Sequence, residues 1–378
     1  MTGLKIPFTG LQKQYSNLRS EILDRTDEVL RSGQLMNGNY TAEFEAWLAQ
    51  RNRVRHAITV HSGTQALECL AQYHALQHVM DPPRILVPAL TYAASANAFM
   101  RSGWEVVFAD TDERGIMDVT RAGDSTFNAV MLVGLYGAGV SEYLGLNSFR
   151  AWQQAWQSPR LLLEDAAQHW LSDDCQRIGD AAVSFDPMKN LAAMGNGGAV
   201  LTNDSELADF AESWRDNGKP YHRVSGTNSR MSELDCAVLM IKTQYVDQWQ
   251  ARRQKIATYW MEQLNNTPVR CLVTRDNIRG HALQKFVIDV DDRDVLRQQF
   301  AQHGIDTRVH YAQPLHELGE FRQCAGPGIL SRASALARRV LSLPLYPELT
   351  DLQVDYIIDQ VRAHAVTAHS SPAKTTHN

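Results

Sequence analysis

Cysteine is scarce: the 378 residues hold five, Cys69, Cys175, Cys236, Cys271 and Cys324. An odd number so widely scattered fits reduced thiols and excludes a disulfide framework or a zinc site. Long apolar runs are missing as well. The longest stretches without formal charge, Ile85 to Met100 and Ser125 to Ser141, carry Pro, Asn, Ser, Thr or Gly and fall short of a bilayer span. The opening Met1-Thr2-Gly3-Leu4-Lys5-Ile6-Pro7 lacks the apolar core of an export signal. A cytoplasmic protein without a membrane helix is therefore expected. Nor is there a positive excess: 37 Lys and Arg stand against 42 Asp and Glu, a formal net charge of −5. No global field draws in nucleic acid or an anionic membrane, which leaves room only for a local anion site.

What is present is an ordinary globular composition, 44% hydrophobic and 21% charged, long enough for two domains or one large α/β domain with an appendage. Residues 13 to 32 form an amphipathic pattern, with Leu18, Ile22, Val29 and Leu30 near one face and Gly33 as a stop. Seven short β-type runs follow: Ala57–Val60, Ile85–Val87, Glu105–Phe108, Ala129–Val133, Leu161–Leu163, Ala181–Phe185 and Ala199–Leu201. Most are apolar throughout, as in strands covered on both faces. Helical patterns at Gln65–Gln77, Ala93–Arg101 and Glu142–Gln157 lie between them, which predicts a layered α/β domain with a mostly parallel sheet. The last two strands lack an intervening helix, so the sheet is expected to be mixed. A long helix from Ser232 to about Asn265 should lead into a smaller α+β unit made of Ala282–Val290, a helix Asp294–His303, Thr307–Tyr311, and helices near Ser331–Leu341 and Asp351–Arg362. The expected division is a large domain over 1–240, a small one over 241–365, and a disordered tail over 366–378.

Three places could carry chemistry. Ser62-Gly63-Thr64 follows a strand and opens a helix, where backbone N–H groups and the helix dipole converge on a phosphate-sized point. A capping box between Ser62 and Gln65 accounts for the same residues. Asp165, in Glu164-Asp165-Ala166-Ala167-Gln168, emerges at the C-terminal edge of a strand, where ligands of open α/β sheets collect. It can cap a helix, bind a metal, or pair with a protonated heterocyclic nitrogen. Lys189, in Ser184-Phe185-Asp186-Pro187-Met188-Lys189-Asn190, lies beyond a buried strand and before Gly195-Asn196-Gly197-Gly198. Desolvation there would free its lone pair for Schiff-base chemistry, and a plain surface lysine is the alternative.

The order of these three elements resembles the DegT/DnrJ/EryC1/StrS sugar aminotransferases. The likeness runs from Ile6-Pro7-Phe8 to the Pro344 region. It is carried by Ser62-Gly63-Thr64 with Ala66-Leu67, by Pro88 with Thr91-Tyr92 and Ala96-Asn97-Ala98, by Leu135-Tyr136-Gly137, and by Glu164 to Gln168. Ser184-Phe185 with Lys189-Asn190-Leu191, Gly197-Gly198, Gly226-Thr227-Asn228-Ser229-Arg230-Met231, and Tyr311 with Pro314-Leu315-His316 complete it.

The resemblance implies the type I aminotransferase fold: an α/β large domain with a mixed, mostly parallel seven-stranded sheet, and a smaller C-terminal α+β domain. It also implies pyridoxal 5'-phosphate as cofactor. Lys189 would form the Schiff base, and Asp165 would keep the pyridine nitrogen protonated so that the ring can drain a carbanion. Gln168 would bond the phenolic oxygen and Tyr92 would stack on the ring. Ser62, Gly63, Thr64 and Ser184 would hold the phosphate, joined by Asn228 from a second subunit, so the site is completed in a homodimer. Arg230, His310, Tyr311 and His316 are the candidates for substrate contact. The implied reaction moves an amine from glutamate to a nucleotide-linked keto-sugar, with Lys189 shuttling the proton. A glutamine-using cyclitol aminotransferase and a non-catalytic cofactor-binding regulator are the rival readings.

Two departures, Asn196 where many relatives have Glu and Gly134 where many have His, touch substrate choice and not the cofactor groups. Lys189 is present, which separates the chain from relatives that carry histidine there and act as dehydratases. Other features read blandly. His74 and His78 suggest a solvated helix face, Asp110 and Asp112 turn formation and helix capping, and Arg338-Arg339 is too short for a nucleic-acid patch. No metal site is expected.

Overall fold

The structure, a computed structural model, describes residues 4–77, 82–119, 127–139, 161–172, 177–324 and 328–365. Seven strands form one sheet: β1 (His56–Val60), β2 (Arg84–Pro88), β3 (Glu105–Ala109), β4 (Ala129–Val133), β5 (Leu161–Asp165), β6 (Asp180–Ser184) and β7 (Gly198–Thr202), in the order β1-β7-β6-β5-β4-β2-β3. Strands β3, β2, β4, β5 and β6 pair in parallel, whereas β7 runs antiparallel to both β6 and β1. All seven expected runs are strands, and the sheet is mixed as the missing helix between β6 and β7 suggested.

The continuous apolar runs are explained by cover on both faces. Alternate residues such as Ile58, Val60, Ile85, Val87, Met131 and Val133 pack with Leu67, Leu70 and Phe99 from the helices Gly63–Ala75 and Ala94–Arg101. The intervening Ala57, Val183 and Leu201 face Phe44, Leu48, Trp170 and Leu239 on the opposite side. A second sheet of β8 (Arg270–Cys271), β9 (Phe286–Asp289) and β10 (Val340–Leu343) is antiparallel throughout. It shares a core of Trp260, Phe286, Phe300 and Ile357 with its own helices. Ile6 bridges to Ile305 and is buried in that second core, so the N-terminal segment is tied to the small sheet.

The first helix, Leu11–Ser32, ends where Gly33 turns left-handed (φ 69°) and its N–H bonds to Leu30 O, as its glycine stop implied. Four expectations need correction. The single helix from Ser232 to about Asn265 is two, Glu233–Thr243 and Val246–Leu264. The break falls at Gln244 and Tyr245, whose amides bond three residues back to Ile241 and Lys242. Thr307–Tyr311 is not a strand but touches the small sheet through one bridge, Arg308 to Ser342. The helix expected to Leu341 stops at Arg339, because Val340-Leu341-Ser342-Leu343 pairs with β9 and buries all four residues. His74 is no solvated residue: it is buried, with Nε2 3.0 Å from Asp180 Oδ2. Asp110 and Asp112 do cap and turn, accepting from Ala333 N (2.8 Å) and from Ile116 N (2.9 Å). His78, Cys175, the expected helix Glu142–Gln157 and the tail 366–378 lie outside the described residues.

Candidate active site

The parallel strands deliver their C-terminal ends to one edge of the large sheet, and the expected site residues sit along it. Val60 ends β1 and leads to Ser62, the N-cap of the helix Gly63–Ala75. Ser62 Oγ accepts from Gln65 N at 3.2 Å and Ser62 O from Ala66 N at 3.0 Å. The amides of Gly63 and Thr64 have no protein acceptor among the described residues, as the first turn of a helix requires. The capping reading and the anion reading are therefore compatible. Half of the box is missing, because Gln65 Oε1 accepts from Ser229 Oγ (2.8 Å) instead of closing on Ser62. A Cβ on Gly63 would stand 2.8 Å from Ser184 Cβ. Glycine is needed for the helix start and the end of β6 to approach this closely.

Asp165 terminates β5 and is buried. Ser95 Oγ donates to its Oδ2 at 2.6 Å and Ala167 N to its Oδ1 at 3.2 Å, which fixes the carboxylate plane. Lys189 follows β6 in a turn whose Lys189 N bonds Asp186 O at 2.8 Å. The residue is half-buried, yet its ammonium lies deep enough that burial lowers its pKa below the usual lysine range against the pull of Asp165 and Asp186. Gln168 accepts from Tyr136 N at 2.9 Å and turns Nε2 toward the Tyr311 hydroxyl at 3.5 Å. Tyr92 is exposed, its ring 6.1 Å from that of Tyr311.

Three residues that sequence reasoning did not assign to the site organise it. Tyr136, seen only as part of a motif, is buried with a left-handed backbone (φ 63°), which costs a bulky residue about 1–2 kcal/mol. The conformation aims its N–H at Gln168, its phenol at His310 O, and its carbonyl at Lys285 N (3.1 Å). Ser95 is the partner of Asp165. Lys285, the one basic residue inside the run Ala282–Val290, is buried beside Lys189. Its position within a β-type run was the available signal.

The weaker candidates divide. Tyr311 joins the cluster, and burial followed by Asp165 raises its phenol pKa above the ordinary value. His310 lies beside it, Nδ1 2.8 Å from Ser342 Oγ, its pKa lowered to about 2 by burial and then by Lys285 and Lys189. Arg230 pairs with Asp216 at 3.3 Å, and Asn228 is exposed and bridged to Asp216. His316 contacts Ser334 Oγ (3.3 Å) and Glu317 (3.7 Å); none of its polar contacts among the described residues reaches Lys189 or Asp165.

Residues 16–362 match the DegT/DnrJ/EryC1/StrS aminotransferase family. The chain belongs to that family. It is 34% identical to the dTDP-3-amino-3,4,6-trideoxy-alpha-D-glucose transaminase of Streptomyces venezuelae, with 96% of each chain covered. It is 31% identical to the pleiotropic regulatory protein of Geobacillus stearothermophilus, over 95% of this chain and 98% of that one. Among solved structures it superposes on S. venezuelae DesV in complex with a ketimine intermediate with a TM-score of 0.87, at 33% identity and with 96% and 98% of the two chains covered. A DegT/DnrJ/EryC1/StrS aminotransferase from Brucella abortus gives 0.86 at 29% identity, covering 95% and 99%.

The protein is thus a pyridoxal-phosphate-dependent aminotransferase of the type I fold. The residues of the aminotransferase fit the group on their own chemistry. An amine of lowered pKa, a fixed carboxylate, and two free amides over a glycine cradle share one sheet edge. Among the described residues no helix is long and apolar enough to cross a membrane, and no metal-type cluster occurs.

Proposed function

We propose that this aminotransferase moves an amino group from glutamate to a nucleotide-linked keto-sugar in the cytoplasm. The observation that carries the site assignment is the meeting of Lys189 with Asp165 at the sheet edge, an amine whose burial outweighs two nearby carboxylates. Pyridoxal phosphate supplies the electron sink that stabilises a carbanion at the donor's α-carbon. Lys189 Nζ would anchor the cofactor and, once released, would carry the proton between the substrate carbon and the cofactor. Asp165, steadied by Ser95 and Ala167 N, holds a proton on the ring nitrogen. Gln168, oriented by Tyr136 N, binds the ring oxygen, and Tyr92 covers the ring face.

Ser62, Gly63, Thr64 and Ser184 take the phosphate, with Asn228 of a second copy completing a homodimeric site. Tyr311, His310 and Arg230 line the acceptor side, and His316 lies further out. The same reading divides the chain into a large domain to about residue 240 and a small domain to about 365. The keto-sugar acceptor is supported by relatives named as transaminases of dTDP- and UDP-linked sugars.

Borohydride reduction of the coloured protein should fix the cofactor to the peptide bearing Lys189, and Lys189→Ala should abolish both colour and labelling. Colour retained in that variant sinks the assignment. Glutamate and glutamine, added separately, identify the donor by which one bleaches the visible absorbance. A panel of nucleotide-linked keto-sugars and ketocyclitols, read by mass spectrometry, identifies the acceptor.

A further inference from the structure

A small cavity of about 40 Å³ opens beside the cofactor lysine, bounded by the N-terminal segment, the loop after β6, and the ends of β9 and β10. Lys189 and Lys285 line it together, facing Gln14, Arg253, Tyr346 and Glu348. The other lining groups are accounted for. Arg253 Nη1 donates to Leu345 O at 2.6 Å, and the Glu348 carboxyl has Arg253, Gln14 and Lys13 about it.

Lys285 is different. It is 6% exposed, its Nζ donates to the neutral Gln284 Oε1, and no carboxylate lies within ion-pair distance among the described residues. The Tyr346 hydroxyl in the same wall is buried without a partner among the described residues. A buried amine with no carboxylate to receive it costs free energy in its charged form, and an arriving anion removes that cost.

We propose that Lys285 is a carboxylate-binding residue of the cavity it shares with Lys189, receiving a carboxylate of the amino-acid donor or of an acidic acceptor sugar. The inference rests on the aminotransferase reading, because that chemistry brings a carboxylate-bearing molecule to Lys189. A carboxylate suits the site better than a phosphate, since one amine neutralises one negative charge and the Glu348 carboxyl across the cavity disfavours a second.

The surrounding charges agree. Lys189 and Asp186 face Lys285 from the loop after β6, His310 from the segment before β10, Arg253 from the helix Val246–Leu264, Glu348 and Tyr346 from the segment after β10, and Tyr136, Arg114 and His281 from the far side. Burial, reinforced by Lys189, holds the Lys285 pKa well below the ordinary lysine value. Binding of an anion should therefore return a proton to its amine.

The test is calorimetry of the holoenzyme with glutarate, a dicarboxylate with neither amine nor ketone to react, in two buffers of different ionisation enthalpy near neutral pH. D-glucuronate serves as the acidic-sugar arm. Wild type should bind with net proton uptake. Lys285→Met should weaken binding by about 10-fold or more and lose the uptake, the scale of one charge-assisted hydrogen bond. Lys285→Arg, always charged, should bind without uptake. Preference for glutarate assigns the carboxylate to the donor and preference for glucuronate to the acceptor, and either supports the proposal. Binding unchanged in Lys285→Met, absence of proton uptake in wild type, or no binding of either acid overturns it. Borohydride labelling of Lys189 runs alongside. Labelling preserved while glutarate binding ignores Lys285 sinks this inference alone, whereas failure to label wild type sinks the reading beneath it.

Discussion

Glu164 precedes Asp165 on β5 and points to the opposite face, where three donors close on it, Arg177 Nη1 at 2.9 Å, Ile178 N at 2.6 Å and Gly179 N at 3.3 Å, with His169 Nε2 at 3.2 Å beside them. Neither the glutamate nor the arginine side chain exceeds 1% exposure. Glu164→Gln preserves the shape and deletes the charge. Arg177, whose Nε and Nη2 have no partner among the described residues, is then a buried cation without its anion. Breaking a buried pair from one side costs about 3–5 kcal/mol. With an unfolding entropy near 2 cal/mol/K per residue and a cooperative unit of about 240 residues, the melting temperature should fall by roughly 6–10 °C. Adding Arg177→Met should recover most of the loss, because the uncompensated charge goes with it.

The pH dependence supplies an independent check. Burial alone would raise the Glu164 pKa, but Arg177, His169 and the Ile178 amide outweigh it and hold the carboxyl below its usual range. The stabilisation is therefore fully present above the unfolded value of about 4.3 and is lost as pH falls through the lower folded value. The gap between wild type and Glu164→Gln, followed by thermal melts of the holoenzyme, should be constant from about pH 8 to pH 5 and close below about pH 4. A single variant within about 1 kcal/mol of wild type, the range of an exposed pair, or a double variant no better than the single, would refute the reasoning.

Gly134→Ala should destabilise by about 2–4 kcal/mol in the same melts, because its Cβ would stand 2.1 Å from His169 Nδ1 and 2.4 Å from Ala138 O. His169→Ala in the same chain should recover only part of this, since the backbone clash remains. His310 should stay neutral across the working range, its pKa lying near 2; His310→Gln should leave the acidic limb of the kcat/KM profile where it is, and a shifted limb contradicts the burial argument. If the site is shared in a homodimer as proposed, Lys189→Ala mixed with Asn228→Ala should restore activity to about a quarter of wild type, because half of the random dimers would carry one intact site. No recovery on mixing places Asn228 and Lys189 of one site in the same chain.

The large sheet was legible because each of its strands is a local apolar run between turn or helix signals, and Ser62, Asp165, Ser184 and Lys189 stand within a few residues of a strand's end. Where the signal was not local, the sequence was ambiguous. Val340–Leu343 continues a helical pattern in register, and only its pairing with Phe286–Asp289 makes it a strand. His74 looked solvent-facing because its partner, Asp180, lies 106 residues away. Ser95 and Asp165 meet across 70 residues, and Tyr136 and His310 across 174. Residue type announces none of these pairs, since a serine or tyrosine is equally ordinary on a surface.

The two sheets contribute different halves of the chemistry, and Tyr136 is where they join. On the proposed reading the large sheet edge holds the anchoring amine, the carboxylate and the phosphate cradle, all on short connections that leave little freedom. The small sheet brings Lys285, His310 and Tyr311, whose positions depend on one strained residue: the Tyr136 carbonyl receives Lys285 N and its phenol reaches His310 O. A left-handed backbone at a buried tyrosine persists only where its surroundings over-determine it, and here three bonds to three separate segments do so. Substitutions on the small-sheet side can therefore reshape what the cleft accepts while Lys189 and Asp165 stay fixed.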